Sequence, residues 1–506
     1  MKLAAFAALF AGALPLAAQD QAARVQDKLK EVDAVIAKGP FKADWTSLET
    51  FKMPQWYADA KFGIFIHWGV YAVPAFGNEW YPRNMYLEGT KEFQHHVATY
   101  GPQSKFGYKD FIPMFKAEKY DPAAWATLFQ KSGARFVMPV AEHHDGFAMY
   151  DSALTEWCAA KMGPKRDLVG ALASEVRKRG MRFAASSHRA EHWWFFDGGM
   201  KFDSDVRDPK NLGLYGPAQP RKTADGKAEN QPDTAHMDNW LARTAELVDK
   251  YKPEVVWFDW WIEQPVFQPY LKRFAAFYYN RGVEWNRGGV AINYKNKSFP
   301  DKAAVLDIER GKLDKMRTLM WQTDTSLGLK SWGYIEGEEF RSANSVVDEL
   351  VDIVSKNGVL LLNIGPRSDG TIPDQVQTTL LDIGKWLASN GEAVYGTQPW
   401  KVYGEGPTEV LSGGFTDRKQ KPFTSGDVRF TQKANSIYAI FLDWPSGESK
   451  VQSITAPALA GKTIARVSLL GSKDKLAWKL ADDGLHVTWP QQKQGDYAHV
   501  LRILLK

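Results

Sequence analysis

The sequence predicts an α/β protein, a (β/α)8-like barrel followed by a C-terminal antiparallel β-sandwich. Between about residues 61 and 390, short apolar runs typical of buried parallel strands alternate with amphipathic helical segments. Most of these runs end on a histidine, an acid or an asparagine, the position at which barrels carry functional side chains. From about residue 395, short alternating segments broken by Gly, Pro and Asp replace this pattern and indicate a β-sandwich.

The clearest barrel unit is a helix and strand that end on an aspartate. Residues 237–250 have helical periodicity, and the strand-forming residues 255–258 lead directly into Asp259, which three tryptophans flank. An aspartate among indole rings suits sugar chemistry, because apolar sugar faces stack on aromatic rings and a carboxylate stabilises an oxocarbenium-like carbon. An aspartate that only caps the following helix explains this stretch equally well, so the rest of the chain has to distinguish the two.

The other barrel elements follow from apolar spacing and from helix end signals. We expect further strands within residues 61–69 (ending at His67), 134–140, 181–185, 290–293, 304–308 and 359–362. Caps and glycines predict helices at residues 121–131, 168–180, 270–280, 345–356 and 374–390. A helix at residues 21–38 is expected outside the main fold, and a polar insertion at about 197–234 is expected to form a surface loop or flap.

Domain organisation follows from these shifts in pattern. We predict a signal peptide at residues 1–18, a catalytic barrel at 19–394 and the β-sandwich at 395–506, with strands near 428–431, 436–442, 463–469, 485–489 and 499–504. Lys2, an apolar run over residues 3–16 and Ala17-Ala18 predict cleavage near Ala18, so we expect an exported protein, periplasmic or extracellular, without membrane insertion.

Composition narrows the function classes. The net charge of +5 is spread without basic runs, so nucleic acid is not an expected partner. Cys158 is the only cysteine, so no disulfide forms within the chain. Twenty tryptophans indicate a stacking surface beyond what a core requires.

The residues that follow the predicted strands form the candidate site, because a barrel brings these positions to one mouth. Two chemistries fit them. The histidines could hold a metal ion, although the first strand lacks a second histidine two residues on and Asp259 lies among tryptophans. Alternatively, Asp259 and a second carboxylate could act as the nucleophile and acid/base of a retaining glycosidase, with histidines binding sugar hydroxyls. The strand-end residues are His67, His143, His144, His188, Asp259, Glu309 and Asn363.

Seven motifs also resemble those of the α-L-fucosidases, glycoside hydrolase family 29, and occur in family order. They are KFGIFIHWGVYAVPAFGNEWY (61–81), HHDGFAMYDS (143–152), GPKRDLVGAL (163–172), VVWFDWW (255–261), SWGY (331–334), GVLLLNIGPRSDGTIP (358–373) and NGEAVYGTQPW (390–400). The resemblance implies a barrel with a C-terminal β-sandwich and retaining hydrolysis of terminal α-L-fucose from oligosaccharides or glycoconjugates. It implies no metal and no other cofactor.

The resemblance also implies roles for particular residues. Asp259 matches the family's nucleophile, and Glu309 in LDIERG is the best match to its acid/base, with Glu336, Glu338 and Glu339 as competitors. Residues that resemble the fucose-binding positions are His67, Glu79, Trp80, His143, His144 and Trp257, and we add His188 and Lys295 as candidates.

Two departures from the family pattern affect sugar recognition. Ser186-Ser187-His188 stands where a tyrosine–serine pair is common, and Lys295 stands where an arginine is usual, although lysine cannot reproduce a bidentate fork. We expect the C6 methyl of fucose to rest on an aromatic patch that includes Trp257 or Phe258, and Glu309 to stay protonated in a less polar setting.

Two alternatives fit the same residues. A related L-sugar such as an α-L-galactoside is a possible substrate, and a catalytically inactive sugar-binding barrel is the non-enzyme alternative. The retaining mechanism requires the carboxyl groups of Asp259 and Glu309 to lie about 5–5.5 Å apart. The sequence makes no prediction of oligomeric state.

Overall fold

The computed structural model describes residues 16–506, and its centre is a closed barrel of eight parallel strands. The predicted signal peptide lies outside the described residues except for residues 16–18, which begin the first helix. The closed barrel of eight parallel strands confirms the predicted (β/α)8-like barrel. Its strands are β1 Phe62–Ile66, β2 Phe136–Glu142, β3 Arg182–Ser187, β4 Val255–Phe258, β5 Ala291–Tyr294, β6 Val305–Glu309, β7 Trp321–Ser326 and β8 Gly358–Ile364.

The barrel closes where β1 pairs with β8, with Phe62 opposite Leu360. Alternate residues fill the interior, and Phe136 is one of the largest of these. Gly63 on β1 makes room for it, because a Cβ atom at residue 63 would lie 2.3 Å from the Phe136 ring. Such packing gives a filled core, so a ligand can bind only at the mouth.

Helices surround the barrel unevenly. In the part of the chain that the structure describes, no α-helix lies between β5 and β6 or between β6 and β7. The α-helices are α1 Leu16–Lys38, α2 Trp45–Leu48, α3 Gln55–Ala60, α4 Tyr81–Asn84, α5 Lys91–Tyr100, α6 Pro122–Lys131, α7 Leu168–Lys178, α8 Leu212–Tyr215, α9 Thr234–Tyr251, α10 Gln268–Trp285, α11 Ala343–Ser355 and α12 Asp374–Asn390.

The helix α1 is part of the barrel assembly, so its expected position outside the main fold is wrong. It packs against α9 and α10 and buries Val25, Leu29, Val32 and Val35. These residues recur every three or four positions, which places them on one face of the helix.

The seventh strand was not predicted. Its residues 321–326, WQTDTS, are all buried, although only Trp321 is apolar. A buried polar strand carries no apolar run or alternation that a sequence pattern could detect. This strand brings Asp324 to the barrel mouth.

The C-terminal region contains two antiparallel sheets, as predicted. A five-stranded sheet has the order β13-β16-β11-β10-β9, and a three-stranded sheet has the order β12-β15-β14. Their facing sides share one apolar core that includes Phe430, Leu501 and Val487. The strands are β9 Gln398–Glu405, β10 Val428–Lys433, β11 Ser436–Phe441, β12 Glu448–Val451, β13 Ile464–Leu469, β14 Ala477–Ala481, β15 Gly484–Thr488 and β16 His499–Leu505.

A buried ionic cluster joins the C-terminal sheets to the barrel. The Asp352 carboxylate on α11 lies 2.7 Å from Nζ of Lys356 and 2.6 Å from Nε of Arg429 on β10. Burial alone would raise the pKa of Asp352, but these two cations lower it to about 2. The C-terminal region is thus fixed to the barrel through charges that water does not screen.

The insertion at residues 197–234 is only partly a surface loop. Its first half forms short 3₁₀ turns and α8, and it buries Val206, Leu214 and Tyr215. Most of residues 219–231 is exposed or half-buried. The described helices include none that is long and apolar enough to cross a membrane.

Candidate active site

One cavity of about 820 Å³ opens at the carboxyl ends of the barrel strands. This volume suits a small ligand such as a sugar. The lining side chains come from β1 to β7, from the loops after them and from one C-terminal loop. They are His67, Asn78, Glu79, Trp80, Asn84, His143, His144, His188, Trp257, Asp259, Trp260, Lys295, Asn296, Leu306, Asp307, Ile308, Glu309, Asp324, Trp332, Gly414 and Phe415. All ten predicted site residues therefore meet in one place.

Asp259 follows β4 directly, and both oxygens of its carboxylate have donors. Nδ1 of His188 lies 3.0 Å from Oδ2, and the N–H of Trp260 donates to Oδ1 at 2.8 Å. Burial alone would raise the pKa of Asp259, but the charge of Lys295 and the hydrogen bond from His188 hold it below its ordinary value. Asp259 is therefore ionised at neutral pH, as a nucleophilic carboxylate must be.

The hydrogen bonds of His188 assign its tautomer. A carboxylate can only accept, so Nδ1 of His188 carries the proton that it donates to Asp259. Burial lowers the pKa of His188 to about 4, so the ring is neutral. Nε2 is then an acceptor, and the hydroxyl of Ser186 donates to it over 3.0 Å. Both nitrogens are engaged within the protein, so this geometry favours orientation of Asp259 over contact with a sugar hydroxyl.

His144 adds a positive charge beside Asp259. Its Nδ1 lies 2.9 Å from Glu191, and its Nε2 lies 3.5 Å from Asp259. Burial opposes protonation, but the two carboxylates outweigh it and raise the pKa of His144 to about 9. Burial also raises the pKa of Glu191. The proton of this pair lies on His144 because two anions face that ring.

Lys295, which follows β5, contacts three carboxyl groups through a single ammonium. Its Nζ lies 2.6 Å from Glu309 Oε2, 3.4 Å from Asp259 Oδ1 and 3.5 Å from Asp324 Oδ2. Burial disfavours the charge, but these carboxyls raise the pKa of Lys295 well above its ordinary value. The ammonium also lies 4.8 Å from the centre of the Trp257 ring. Nζ donates a hydrogen bond to Glu309, and the other two carboxyls lie at ion-pair distance. The lysine acts here as a point charge, whereas an arginine would present a planar fork to one carboxylate.

Glu309 ends β6 and faces the cavity, with about a fifth of its side chain exposed. The less polar setting that we expected is wrong, because Nζ of Lys295 lies only 2.6 Å away. The neighbouring cations Arg310 and Lys312 do not bind it. Arg310 instead pairs with Asp417 at 3.3 Å.

The separation of the two candidate carboxylates follows from their shared contact. Asp259 Oδ1 and Glu309 Oε2 lie 3.4 Å and 2.6 Å from the same Nζ of Lys295. They therefore lie at most 6.0 Å apart, the sum of these two distances. Retaining glycosidases place their carboxyl groups about 5–5.5 Å apart, and inverting ones about 6.5–9.5 Å. The bound holds for this pair of oxygens, and it is compatible with the retaining arrangement.

The competing glutamates lie elsewhere. Glu338 accepts hydrogen bonds from the N–H groups of Lys330 and Ser331. Glu336 and Glu339 are bound by Tyr334 and Lys330, respectively. None of the three is among the side chains that line the cavity, so the geometry favours Glu309 as the acid/base candidate.

Two buried acids behind Lys295 escaped the sequence analysis. Burial and the nearby carboxylate of Asp307 raise the pKa of Asp324 well above its ordinary value. Gln322 donates to Asp307 over 2.6 Å. Asp307 could have been found, because side chains at 305, 307 and 309 of β6 alternate onto the same face.

The histidine after β1 is held by β8. Nδ1 of His67 donates to the amide oxygen of Asn363 over 2.8 Å. Burial holds the pKa of His67 well below its usual range, so Nε2 is an acceptor for a hydroxyl. Glu79 accepts from the hydroxyl of Ser331 and the N–H of Trp332 through the same oxygen, Oε2. Its Oε1 is available to a ligand.

Aromatic rings complete the cavity wall. His143 stacks on His188 with ring centres 4.9 Å apart, and Trp80 lies 5.1 Å from His144. Trp257 is among the residues that line the cavity. Phe258 does not, because strand alternation points it outward, where it packs against Phe274 and other helix side chains. Phe258 is therefore excluded from the expected aromatic patch.

Among residues 16–506, two groups of three side chains lie close enough to bind a metal ion. His188 belongs to both groups, yet its ring nitrogens are already engaged by Asp259 and Ser186. A metal ion would have to displace these hydrogen bonds, so neither group is preformed. The groups are His67, His143 and His188, and His144, His188 and Asp259.

A barrel whose mouth holds two close carboxylates among histidines and indole rings is typical of retaining glycoside hydrolases. Residues 29–392 match the family model of α-L-fucosidases, and residues 420–504 match the model of the α-L-fucosidase C-terminal domain. The chain belongs to the α-L-fucosidase family.

Individual relatives agree with this assignment. The tissue α-L-fucosidase of Rattus norvegicus is 32% identical over 468 residues, covering 91% of each chain. The tissue enzyme of Homo sapiens is 32% identical over 459 residues, covering 89% of this chain and 88% of the relative. The structure of the Thermotoga maritima α-fucosidase in complex with fucose is 31% identical, with a TM-score of 0.73, and covers 92% of this chain and all of that one.

Proposed function

We propose that this protein is an exo-acting α-L-fucosidase that removes terminal α-L-fucose from oligosaccharides or glycoconjugates with retention of configuration. The observation that carries the proposal is the pair Asp259 and Glu309, whose carboxyl groups contact one ammonium in the cavity through oxygens at most 6.0 Å apart. Membership of the α-L-fucosidase family supports the choice of sugar. The mechanism requires no cofactor.

In the first step, a carboxylate oxygen of Asp259 attacks the anomeric carbon of fucose. The bond from this carbon to the glycosidic oxygen breaks, and Glu309 gives its proton to the departing oxygen. A covalent fucosyl-enzyme forms. In the second step, Glu309 takes a proton from water, the water oxygen attacks the anomeric carbon, and Asp259 leaves as a carboxylate.

Recognition of the sugar uses the remaining cavity groups. Nε2 of His67 and Oε1 of Glu79 accept hydrogen bonds from fucose hydroxyls, and the imidazolium of His144 donates. His143 and Trp80 border the same space. The ring of Trp257 supplies an apolar surface near the C6 methyl group.

Azide rescue distinguishes the two carboxylates, because each variant yields a different anomer. Asp259→Gly should lose several orders of magnitude in turnover of an aryl α-L-fucoside, and azide attacking the vacated face should give β-L-fucosyl azide. Glu309→Ala should still form the fucosyl-enzyme from a dinitrophenyl fucoside, whose leaving group needs no proton. Azide should then give α-L-fucosyl azide. The products are identified by NMR.

Controls separate this proposal from its alternatives. Glu339→Ala, which removes an exposed glutamate outside the cavity, should turn over fucosides at the wild-type rate. Turnover lost to EDTA would instead favour a metal site. Hydrolysis of α-L-galactosides but not α-L-fucosides would change the substrate, and binding without turnover of either would leave a sugar-binding module.

We also propose that the protein is exported. Lys2, the apolar run over residues 3–16 and Ala17-Ala18 support cleavage near Ala18. The N-terminal sequence of protein recovered from periplasm or medium should begin near Gln19. A full-length chain confined to the cytoplasm would refute export.

A further inference from the structure

A loop of the C-terminal region reaches into the active-site cavity. Residues 406–427 connect β9 to β10, and two of them, Gly414 and Phe415, line the cavity together with Asp259 and Glu309. Phe415 is 59% exposed, the highest value among the exposed large hydrophobic side chains of the described chain. An apolar ring held in water beside polar catalytic groups requires an explanation other than core packing.

The loop is fixed to the segment that carries Glu309. The N–H of Phe415 donates to the backbone oxygen of Glu309 over 2.9 Å. The N–H groups of Thr416 and Asp417 donate to the backbone oxygen of Arg310 over 2.8 and 3.0 Å. Lys312 and Gly413 exchange two further backbone hydrogen bonds. The position of Phe415 is thereby coupled to that of Glu309.

Side-chain contacts and glycines reinforce this docking. Asp417 pairs with Arg310 at 3.3 Å and accepts a hydrogen bond from the Thr325 hydroxyl on β7 over 3.0 Å. A Cβ atom at Gly311 would lie 2.1 Å from the backbone oxygen of Gly413, so only glycine at 311 allows this approach. The contact therefore depends on the sequences of both segments.

The backbone is strained where the two segments meet. Phe415 has φ +55° and Arg310 has φ +44°. Residues other than glycine and asparagine seldom adopt this left-handed region of the backbone. Such conformations persist only when their surroundings enforce them, and they concentrate at ligand sites. Here the backbone hydrogen bonds enforce them and hold the phenyl ring at the cavity edge.

The chemistry of Glu309 determines which side of the cavity receives the leaving group. In the proposed function, on which this inference rests, Glu309 protonates the glycosidic oxygen, so the group beyond that oxygen lies on the Glu309 side. We propose that Phe415 is the stacking platform for the sugar ring to which fucose is attached. A pyranose presents an apolar C–H face to an aromatic ring, so Phe415 contributes to selection of the leaving group.

Two substrates separate binding of the leaving group from chemistry. In a fucosyl disaccharide a pyranose ring occupies the leaving-group site, whereas α-L-fucosyl fluoride has no ring there. Phe415→Ala should lower kcat/KM for the disaccharide about tenfold, mainly through KM, as loss of one aromatic contact predicts. Hydrolysis of the fluoride should change less than about twofold. Phe415→Trp should restore the disaccharide kinetics.

Trp478→Ala is the matched control, because Trp478 is also an exposed aromatic side chain of the C-terminal sheets but lies on β14, outside the cavity. It should leave both substrates unaffected. Equal losses on disaccharide and fluoride in Phe415→Ala would overturn the inference, since Phe415 would then act only through Glu309. Unchanged kinetics on both would also overturn it while leaving the α-L-fucosidase assignment intact. A wild-type protein inactive on both substrates would refute the proposed function together with the inference.

Discussion

Replacing Lys295 by methionine removes a positive charge from among three carboxyl groups while keeping a long unbranched side chain. In the wild-type protein the ammonium lies 3.4 Å from Asp259, whose ionised form it stabilises. We expect the pKa of Asp259 to rise in Lys295→Met, because burial then opposes ionisation without this cation. The nucleophile would consequently be protonated over more of the acid range.

The expected size follows from the distance. Two unit charges 3.4 Å apart interact by about 5 kcal/mol at the effective dielectric constant of roughly 20 that suits protein sites. Water entry and the hydrogen bond from His188 recover part of this loss. If a third of it persists, the acid limb of kcat/KM moves up by about one pH unit, since 1.36 kcal/mol corresponds to one unit of pKa.

The assay is a pH series of kcat/KM on dinitrophenyl α-L-fucoside, whose leaving group needs no proton and therefore isolates Asp259 from Glu309. Lys295→Arg is the matched variant, because it keeps the charge and changes the geometry. Its kcat should fall, but its acid limb should stay in place. Loss of a buried cation can itself destabilise the fold by about 3–5 kcal/mol, so the melting temperature of each variant is measured first.

An acid limb at the same pH in folded Lys295→Met and in wild type would refute this reasoning. It would mean that the hydrogen bond from His188 and the charge of His144 suffice to keep Asp259 ionised. A shift of equal size in Lys295→Arg would refute it as well, because charge would then not be the cause.

Three further substitutions test the rest of the site and the domain contact. Glu191→Gln removes the anion that keeps His144 protonated, so the pKa of His144 falls from about 9. The alkaline limb of kcat/KM should then move to lower pH. Asn363→Asp places a charge beside His67, which raises the pKa of His67 and protonates its acceptor Nε2. KM for fucosides should then rise about tenfold at acid pH, because loss of one hydrogen bond to the sugar weakens binding by about that factor. Asp352→Ala leaves two buried cations unpaired and should lower the free energy of unfolding in urea by about 3–5 kcal/mol.

Each of these predictions has a contrary outcome. An unmoved alkaline limb in Glu191→Gln would show that His144 does not control it, and an unchanged KM in Asn363→Asp would remove His67 from hydroxyl binding. Asp27→Ala, at an exposed pair with Lys30, controls for Asp352 and should cost less than about 1 kcal/mol. The contribution of Asp352 should be present above the ordinary carboxyl pKa and be lost as the pH falls through about 2, because folding lowers this pKa.

The barrel was predictable because most of its strands carry apolar runs that end in a polar residue. Val255–Phe258 before Asp259 is such a run, and the structure has a strand with those bounds. The seventh strand has no such run. Its Gln322 and Asp324 are buried because other polar side chains of the barrel, Asp307 and Lys295, meet them inside. Pairing of this kind depends on the closed fold and leaves no local signal.

The expectation that residues after barrel strands meet at one mouth located the predicted site residues together. It did not identify which side chains contact each other. That expectation placed Asp259 and Glu309 at one mouth, yet it gave no sign that Lys295 would join them. Alternation along β4 would have separated Trp257, which faces inward, from Phe258, which faces the helices. Phe415 could not be found in this way, because its place beside Glu309 results from docking of a loop about a hundred residues further along the chain.

The shared contact of Lys295 also concerns how charge moves during turnover. In the proposed reaction the negative charge on Asp259 disappears when the ester forms, and a negative charge appears on Glu309 as it gives up its proton. Both positions touch the same Nζ atom, at 3.4 and 2.6 Å. The net charge around the ammonium is therefore the same before and after each step. Little of the surrounding protein then has to reorganise, which is how preorganised electrostatic catalysis keeps barriers low.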